Sequence, residues 1–171
     1  MSDFDVISQS IHALKKSGLY HNLITVMNCT TDFPSPFTEI NLKAIKTISD
    51  EFKVSVGYSD HTLGIEVSIA SVALGAKVIE KHITLNKNYP GPDHPFAIEP
   101  LEMIELVKNI RRIEKMLGST KRILSKGDLK SKKIIRRSIV LKKDLNKGDR
   151  INLKNVKFAR PPGGISQNLF K

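Results

Sequence analysis

The sequence holds a single cysteine, only 6% aromatic residues, and no stretch approaching the roughly 18 consecutive apolar residues that cross a bilayer. Each shortage excludes something. Cys29 alone cannot form an internal disulfide, which fits a reducing compartment. The opening MSDFDVISQS has neither the basic nor the apolar region of a secretory leader. A cytoplasmic chain with no membrane partner is the expectation. The formal net charge of +11 would suit a nucleic-acid binder. No aromatic-studded basic strand and no CxxC spacing accompanies it, so nucleic acid is not an expected partner either.

What is present is an ordinary globular composition, 40% hydrophobic and 26% charged, with its charge unevenly spread. Residues 1–107 carry 8 Lys+Arg against 13 Asp+Glu, net −5, whereas residues 108–171 carry 20 against 4, net +16. The two halves are electrostatically different bodies.

Hydrophobic spacing gives the elements. Phe4, Ile7, Ile11 and Leu14 recur at three or four residues and predict a helix that Gly18 ends. The apolar run 23–27 predicts a buried strand, and a helical segment follows at about 38–52. Val54–Tyr58 predicts a second strand, 64–75 a helix of small residues, and Lys77–His82 a third strand. Pro100 opens a last helix to about 117, with Leu101, Ile104, Val107, Ile110 and Ile113 in register and Gly118 at its end. Alternation of helix and strand with short connections is the pattern of parallel βαβ units. A lysine-rich linker at 119–133 then separates residues 1–118 from a small, mostly β region, 134–171, which includes the β-like stretch Ser138–Leu141.

In an α/β barrel the working residues sit at the C-terminal strand ends, and side chains alternate in direction along each strand. Ser59 and His61 therefore share a face at the end of the second strand, and Glu80 and His82 do so at the end of the third. Neighbouring strands lie about 4.8 Å apart, so the two histidines are within reach of one divalent ion such as Mn²⁺ or Zn²⁺. Spacing alone leaves a second reading open, in which both are hydrogen-bonded structural residues. Ser59-Asp60-His61 is not a hydrolase triad, because three consecutive side chains cannot converge on one bond.

Four phrases carry a more specific signal: Cys29-Thr30-Thr31-Asp32-Phe33-Pro34-Ser35-Pro36, Gly57-Tyr58-Ser59-Asp60-His61-Thr62, Val78-Ile79-Glu80-Lys81-His82 and Gly91-Pro92-Asp93-His94. In order and spacing they resemble the successive motifs of the sialic acid synthase family. Arg137-Ser138-Ile139-Val140, Asp144 to Gly148 and Ala159 to Ser166 are similar to the antifreeze-like (SAF) domain joined to those barrels. The resemblance implies an α/β fold: about three βα units from the C-terminal portion of a TIM (β/α)8 barrel, followed by part of an SAF domain. It also implies a synthase that condenses phosphoenolpyruvate with N-acetylmannosamine or a related amino sugar, yielding a nine-carbon 2-keto sugar acid and phosphate.

By the same resemblance His61 and His82 are ligands of a divalent metal, Mn²⁺ or Mg²⁺. Glu80 stands beside them as a group that orients a ligand or Lys81, or handles a proton. Ser59 is similar to a serine that contacts phosphoenolpyruvate, Phe33 to an aromatic near the substrates, and Asp93 to a carboxylate that holds sugar hydroxyls. Thr31 falls at a substrate-facing position where many members have asparagine, and Asn28 where histidine is common. Arg160 resembles an arginine that the SAF arm extends over the neighbouring subunit of a homodimer. Gly57 to Thr62, with Asp93-His94, looks more like neuraminate or legionaminate synthases than pseudaminate ones.

Three strands cannot close a barrel, and the groups the other five supply in the family are absent from these residues. The expected partner is a second polypeptide carrying the first five strands; an inactive or regulatory fragment docking on a full-length synthase is the alternative. An open parallel sheet with an unpaired edge and an uncovered apolar face associates readily. Denaturant melting of the isolated 171-residue chain is accordingly expected to show no cooperative unfolding of a soluble monomer, and a sharp two-state monomer transition would contradict this.

Overall fold

Asp3 opens the first helix, α1 (Phe4–Lys16), by accepting a hydrogen bond from the Val6 amide at 2.9 Å. From there the computed structural model describes residues 2–160, 163–166 and 169. The chain divides into two compact units, Met1–Gly118 and Ser119–Lys171. In the first, α1 is followed by β1 (Thr25–Cys29), α2 (Ala44–Phe52), β2 (Ser55–Asp60), α3 (Glu66–Ala73), β3 (Val78–Lys81) and α4 (Pro100–Leu117). The strands form one parallel sheet in the order β1-β2-β3. Among the described residues no helix is long and apolar enough to cross a membrane.

In the first unit two elements differ from the pattern in the sequence. The helix expected from 38 begins only at Ala44, because Asn41 takes a positive φ of 49° that a right-handed helix cannot include. In α4 the first half of the anticipated stripe faces outward: Leu101, Ile104 and Val107 are exposed, Ile110 and Ile113 are half-buried, and Leu106 is the buried residue. Met103, Leu106, Ile110 and Ile113 make a second apolar stripe at the same spacing, and α4 packs beside α3. Two stripes on one helix satisfy the same periodicity.

The parallel register sorts the strand residues into two faces. On the helix-covered face, Val26, Val56, Tyr58 and Ile79 pack with Ile45 and Ile48 of α2 and Val67 of α3. Tyr58 is fully buried and its hydroxyl has no hydrogen-bond partner among the described residues. Burial, reinforced by the nearby Asp60 carboxylate, pushes its phenol well above the ordinary pKa. On the opposite face, matched positions form rows: Met27, Gly57 and Val78, then Cys29, Ser59 and Glu80. Met27 lies across Gly57, so the missing side chain of the glycine is filled by its neighbour's thioether.

The second unit begins with a helix in the lysine-rich segment, α5 (Lys126–Ile135), capped reciprocally by Ser125 and Asp128. Strands β4 (Ser138–Leu141) and β5 (Val156–Ala159) pair antiparallel. Ile165 adds an antiparallel bridge to Ile139, and Gly164 comes so close to the Ile139 carbonyl that no side chain would fit there. Pro161 and Pro162 of the SAF-like phrase lie outside the described residues.

A Cβ at Gly57 would run into Met27 Sδ and approach the Val78 carbonyl oxygen at 2.9 Å. Gly57→Ala is expected to cost about 1–3 kcal/mol by overpacking, read as a lower melting midpoint of the chain assembled with a polypeptide carrying the complementary five βα units. In a Met27→Ala background the added cost should shrink without vanishing, since the backbone contact remains; a double-mutant cycle measures the difference.

Candidate functional site

At the C-terminal edge of the sheet the two histidines meet. His61 follows β2 directly and His82 follows β3, with their ring centroids 5.1 Å apart and nearly perpendicular, at 83°. Below them, Ser59 donates a hydrogen bond to Glu80 Oε1 at 2.6 Å. This bond joins the two residues at matched positions of adjacent strands, as period-two alternation requires.

Phe33 brings the loop after β1 into the cluster. Its ring stacks on His82, centroids 4.3 Å apart, and meets the ring of His61 edge-on at 5.4 Å. Phe96 closes on Phe33 from the other side, edge-on at 5.7 Å. The loop is held there by backbone: the Ser35 amide donates to the His61 carbonyl at 2.9 Å, and the Ser35 hydroxyl bonds back to the Asp32 carbonyl. Thr31 enters through its backbone, its carbonyl 3.3 Å from His61 Nδ1.

Asp93 is presented by the loop between β3 and α4. Its Oδ2 lies 3.6 Å from His82 Nδ1, an electrostatic contact longer than a hydrogen bond. The ends of this loop are tied together: the Ile98 amide donates to the His82 carbonyl at 3.0 Å, and the Thr84 amide to the Ile98 carbonyl at 2.9 Å. Inside it, Thr84 Oγ1 and His94 Nδ1 are 2.7 Å apart, and the Lys87 amide bonds Glu99 Oε1 at 3.0 Å. Lys87 Nζ also sits 2.6 Å from Glu102 Oε2, and this hydrogen-bonded ammonium holds the Glu102 carboxyl below its ordinary pKa.

The donors suit a divalent ion held by two protein ligands. His61 turns Nδ1 toward the Thr31 carbonyl at 3.3 Å, which can only accept, so Nε2 is the nitrogen left to face an ion, and His82 turns Nδ1 toward Asp93, 3.6 Å away and beyond hydrogen-bond length. No group of three or more His, Cys, Asp or Glu side chains is placed to hold a metal among the described residues. The remaining coordination positions would fall to water and substrate, as in an open catalytic site rather than a closed structural one.

Of the residues singled out in the sequence, the structure gathers His61, His82, Ser59, Glu80, Phe33, Thr31 and Asp93 at one edge of one sheet. Arg160 belongs to the second unit, where it is exposed just past β5. Sequence reasoning assigns no role to two further residues of the same phrases. Asp60 and Lys81 form an ion pair at 3.0 Å with side chains 0% and 2% exposed, on the face covered by α3. Their signal is present in the sequence: opposite charges at matched strand positions, pointing where only apolar residues are expected.

Residues 1–122 match the NeuB family and residues 136–169 the SAF domain. Among curated proteins the chain is 46% identical, over its full length, to N,N'-diacetyllegionaminic acid synthase of Campylobacter jejuni, of which it covers 51%. It is 45% identical over 97% of its length to the protein of that name from Legionella pneumophila, covering 47% of it. The chain thus spans about half the length of the curated relatives it matches. Among solved structures, N-acetylneuraminic acid (sialic acid) synthetase from Leptospira borgpetersenii superposes with a TM-score of 0.70 at 30% identity. That match covers 77% of this chain and 45% of the other. The fold is accordingly α/β: three βα units of a sialic acid synthase-type TIM barrel followed by a small antiparallel β unit. With more than half of the chain matched by the family model, the strand-end histidines included, the chain belongs to the NeuB family.

Proposed function

We propose that this chain carries the metal-binding corner of a nonulosonic acid synthase. The reaction condenses phosphoenolpyruvate with N-acetylmannosamine or a related amino sugar, adds water, and releases phosphate with a nine-carbon 2-keto sugar acid. The observation that carries the reading is the meeting of His61 and His82 at 5.1 Å, above the Ser59–Glu80 hydrogen bond, in a member of the NeuB family.

His61 and His82 are the residues that would hold a divalent ion, Mn²⁺ or Mg²⁺, whose chemistry there is Lewis-acid polarisation of the open-chain sugar aldehyde. Ser59 stands on the face where the substrates would lie; its hydroxyl donates to Glu80 and would turn to donate to phosphoenolpyruvate when that anion is bound. At 2.6 Å, Glu80 is also close enough to hold or return a proton through that hydroxyl. Phe33 walls the histidine pair and limits water at the face of His82. Asp93, beside His82 and 61% exposed, is positioned to accept hydrogen bonds from sugar hydroxyls. Thr31 serves the site through the carbonyl that orients His61. Arg160 offers a permanently charged planar fork to acyl or hydroxyl oxygens, reaching a neighbouring subunit's barrel in a homodimer with exchanged SAF arms. The remaining βα units come from further polypeptide, and the setting is cytoplasmic.

His61→Ala and His82→Ala are each expected to weaken Mn²⁺ binding to the chain, assembled with a polypeptide carrying the complementary five βα units, by more than about tenfold, since even the partners that orient a ligand are worth 10–100-fold. Titration followed by electron paramagnetic resonance measures this. Assembled with a polypeptide carrying the complementary five βα units, the chain should release phosphate from phosphoenolpyruvate only when the amino sugar and the metal are both added. Unchanged Mn²⁺ affinity in the double alanine variant would remove the reading.

A further inference from the structure

We infer that the buried Asp60–Lys81 ion pair is a positioning device that sets the distance between His61 and His82 from the far side of the sheet. The inference rests on the reading of the two imidazoles as a metal site. Each histidine is preceded in sequence by one member of the pair, Asp60 before His61 and Lys81 before His82. Asp60 and Lys81 are also matched partners across β2 and β3. The residues on the covered face are thus joined at 3.0 Å directly behind the point where the chain delivers the two rings.

The joint is tied on both sides of His61. Asp60 Oδ1 accepts from the Thr62 amide at 2.9 Å and from the Thr62 hydroxyl at 2.7 Å, and Lys81 Nζ donates to the Thr62 carbonyl at 2.8 Å. Ser68 of α3 donates to the other Asp60 oxygen, the one that also faces Lys81. The backbone on either side of His61 is therefore held by a cross-strand ion pair and three hydrogen bonds, all in a region closed to water. Hydrogen bonds to charged groups are strong there, and an imidazole held on such a backbone keeps its place. Burying two charges is a poor route to stability alone, since an apolar pair of similar volume is often as good. A role in fixing geometry accounts for their presence at this one place.

The test uses the full chain, its histidines isotope-labelled, assembled with an unlabelled polypeptide carrying the complementary five βα units, so that melting is cooperative. Asp60→Asn/Lys81→Met removes the cross-strand link and leaves no unpaired charge; the Asn oxygen still accepts from the Thr62 amide and hydroxyl, its amide can donate to the Ser68 hydroxyl, and the Thr62 carbonyl loses the Lys81 ammonium. The double variant should melt below the parent, since the buried Thr62 carbonyl loses its donor, and should also lose the cross-peak between the His61 and His82 rings and raise the Mn²⁺ dissociation constant at least about tenfold, roughly 1.4 kcal/mol. Ser68→Ala, which removes a bond from α3 and not from β3, should lower the melting midpoint and keep both the cross-peak and the affinity.

A parental cross-peak and affinity in the double variant would overturn the inference. So would equal losses in Ser68→Ala, which would mark a general effect of stability. If the double variant does not fold, Asp60→Asn/Lys81→Gln decides, since it leaves no charge unpaired and the Gln amide can still donate to the Thr62 carbonyl: a weakened cross-peak supports the inference, and an unchanged one overturns it. If the parent chain binds no Mn²⁺, the functional reading fails, while the ring cross-peaks still decide whether the ion pair sets the spacing.

Discussion

In a parallel sheet, side chains at matched positions point to the same face, and here that rule places the strand-borne candidates of the first unit. Thr25 opposite Ser55 and Gly57 opposite Val78 fix the register. Once those pairings exist, Ser59 must stand beside Glu80, and the residues two positions later, His61 and His82, must emerge together. A slip of one residue would send both histidines under the helices and bring Asp60 and Lys81 to the open face. The hydrophobic set Val26, Val56, Tyr58 and Ile79, which needs α2 and α3 above it, makes that slip costly.

The loops complete what the strands begin, and they do so mainly through backbone hydrogen bonds. The Ser35 amide on the His61 carbonyl and the Ile98 amide on the His82 carbonyl pin the main chain of both histidines from flanking segments. Phe33 and Asp93 reach the rings from those same two segments. Side chains proposed to contact substrate are thereby carried on short, anchored excursions from a rigid sheet, the arrangement that keeps a polar constellation within the tolerance catalysis requires.

The strand-end residues were legible in the sequence because alternation and phrase order both point to them. Gly57-Tyr58-Ser59-Asp60-His61-Thr62 gives the faces of its side chains as soon as it is read as a strand. The Asp60–Lys81 pair was less visible, since a charged residue on a covered face contradicts the hydrophobic pattern used to find that face. Helix α5 was hidden by its lysines, although Ser125 followed by Asp128 at the third position spells a capping box. The buried side of α4 was undecidable from periodicity, because the rows through Ile104 and through Leu106 are equally regular; Leu106 is the one that faces inward. Contacts of loop backbone, such as the Thr31 carbonyl on His61, leave no mark on residue type.

The segment from Thr84 to Ala97 leaves the sheet at His82 and returns to it at Ile98, whose amide bonds the carbonyl of His82 itself. Departure and return are stitched to the same residue. Insertions, deletions or exchanges between those stitches leave the main chain of His82 pinned, while Asp93 and Phe96 are the two points inside the segment that reach the ring of His82 or its stacked neighbour Phe33. Such a segment is a cartridge with two fixed contacts, free to vary everywhere else.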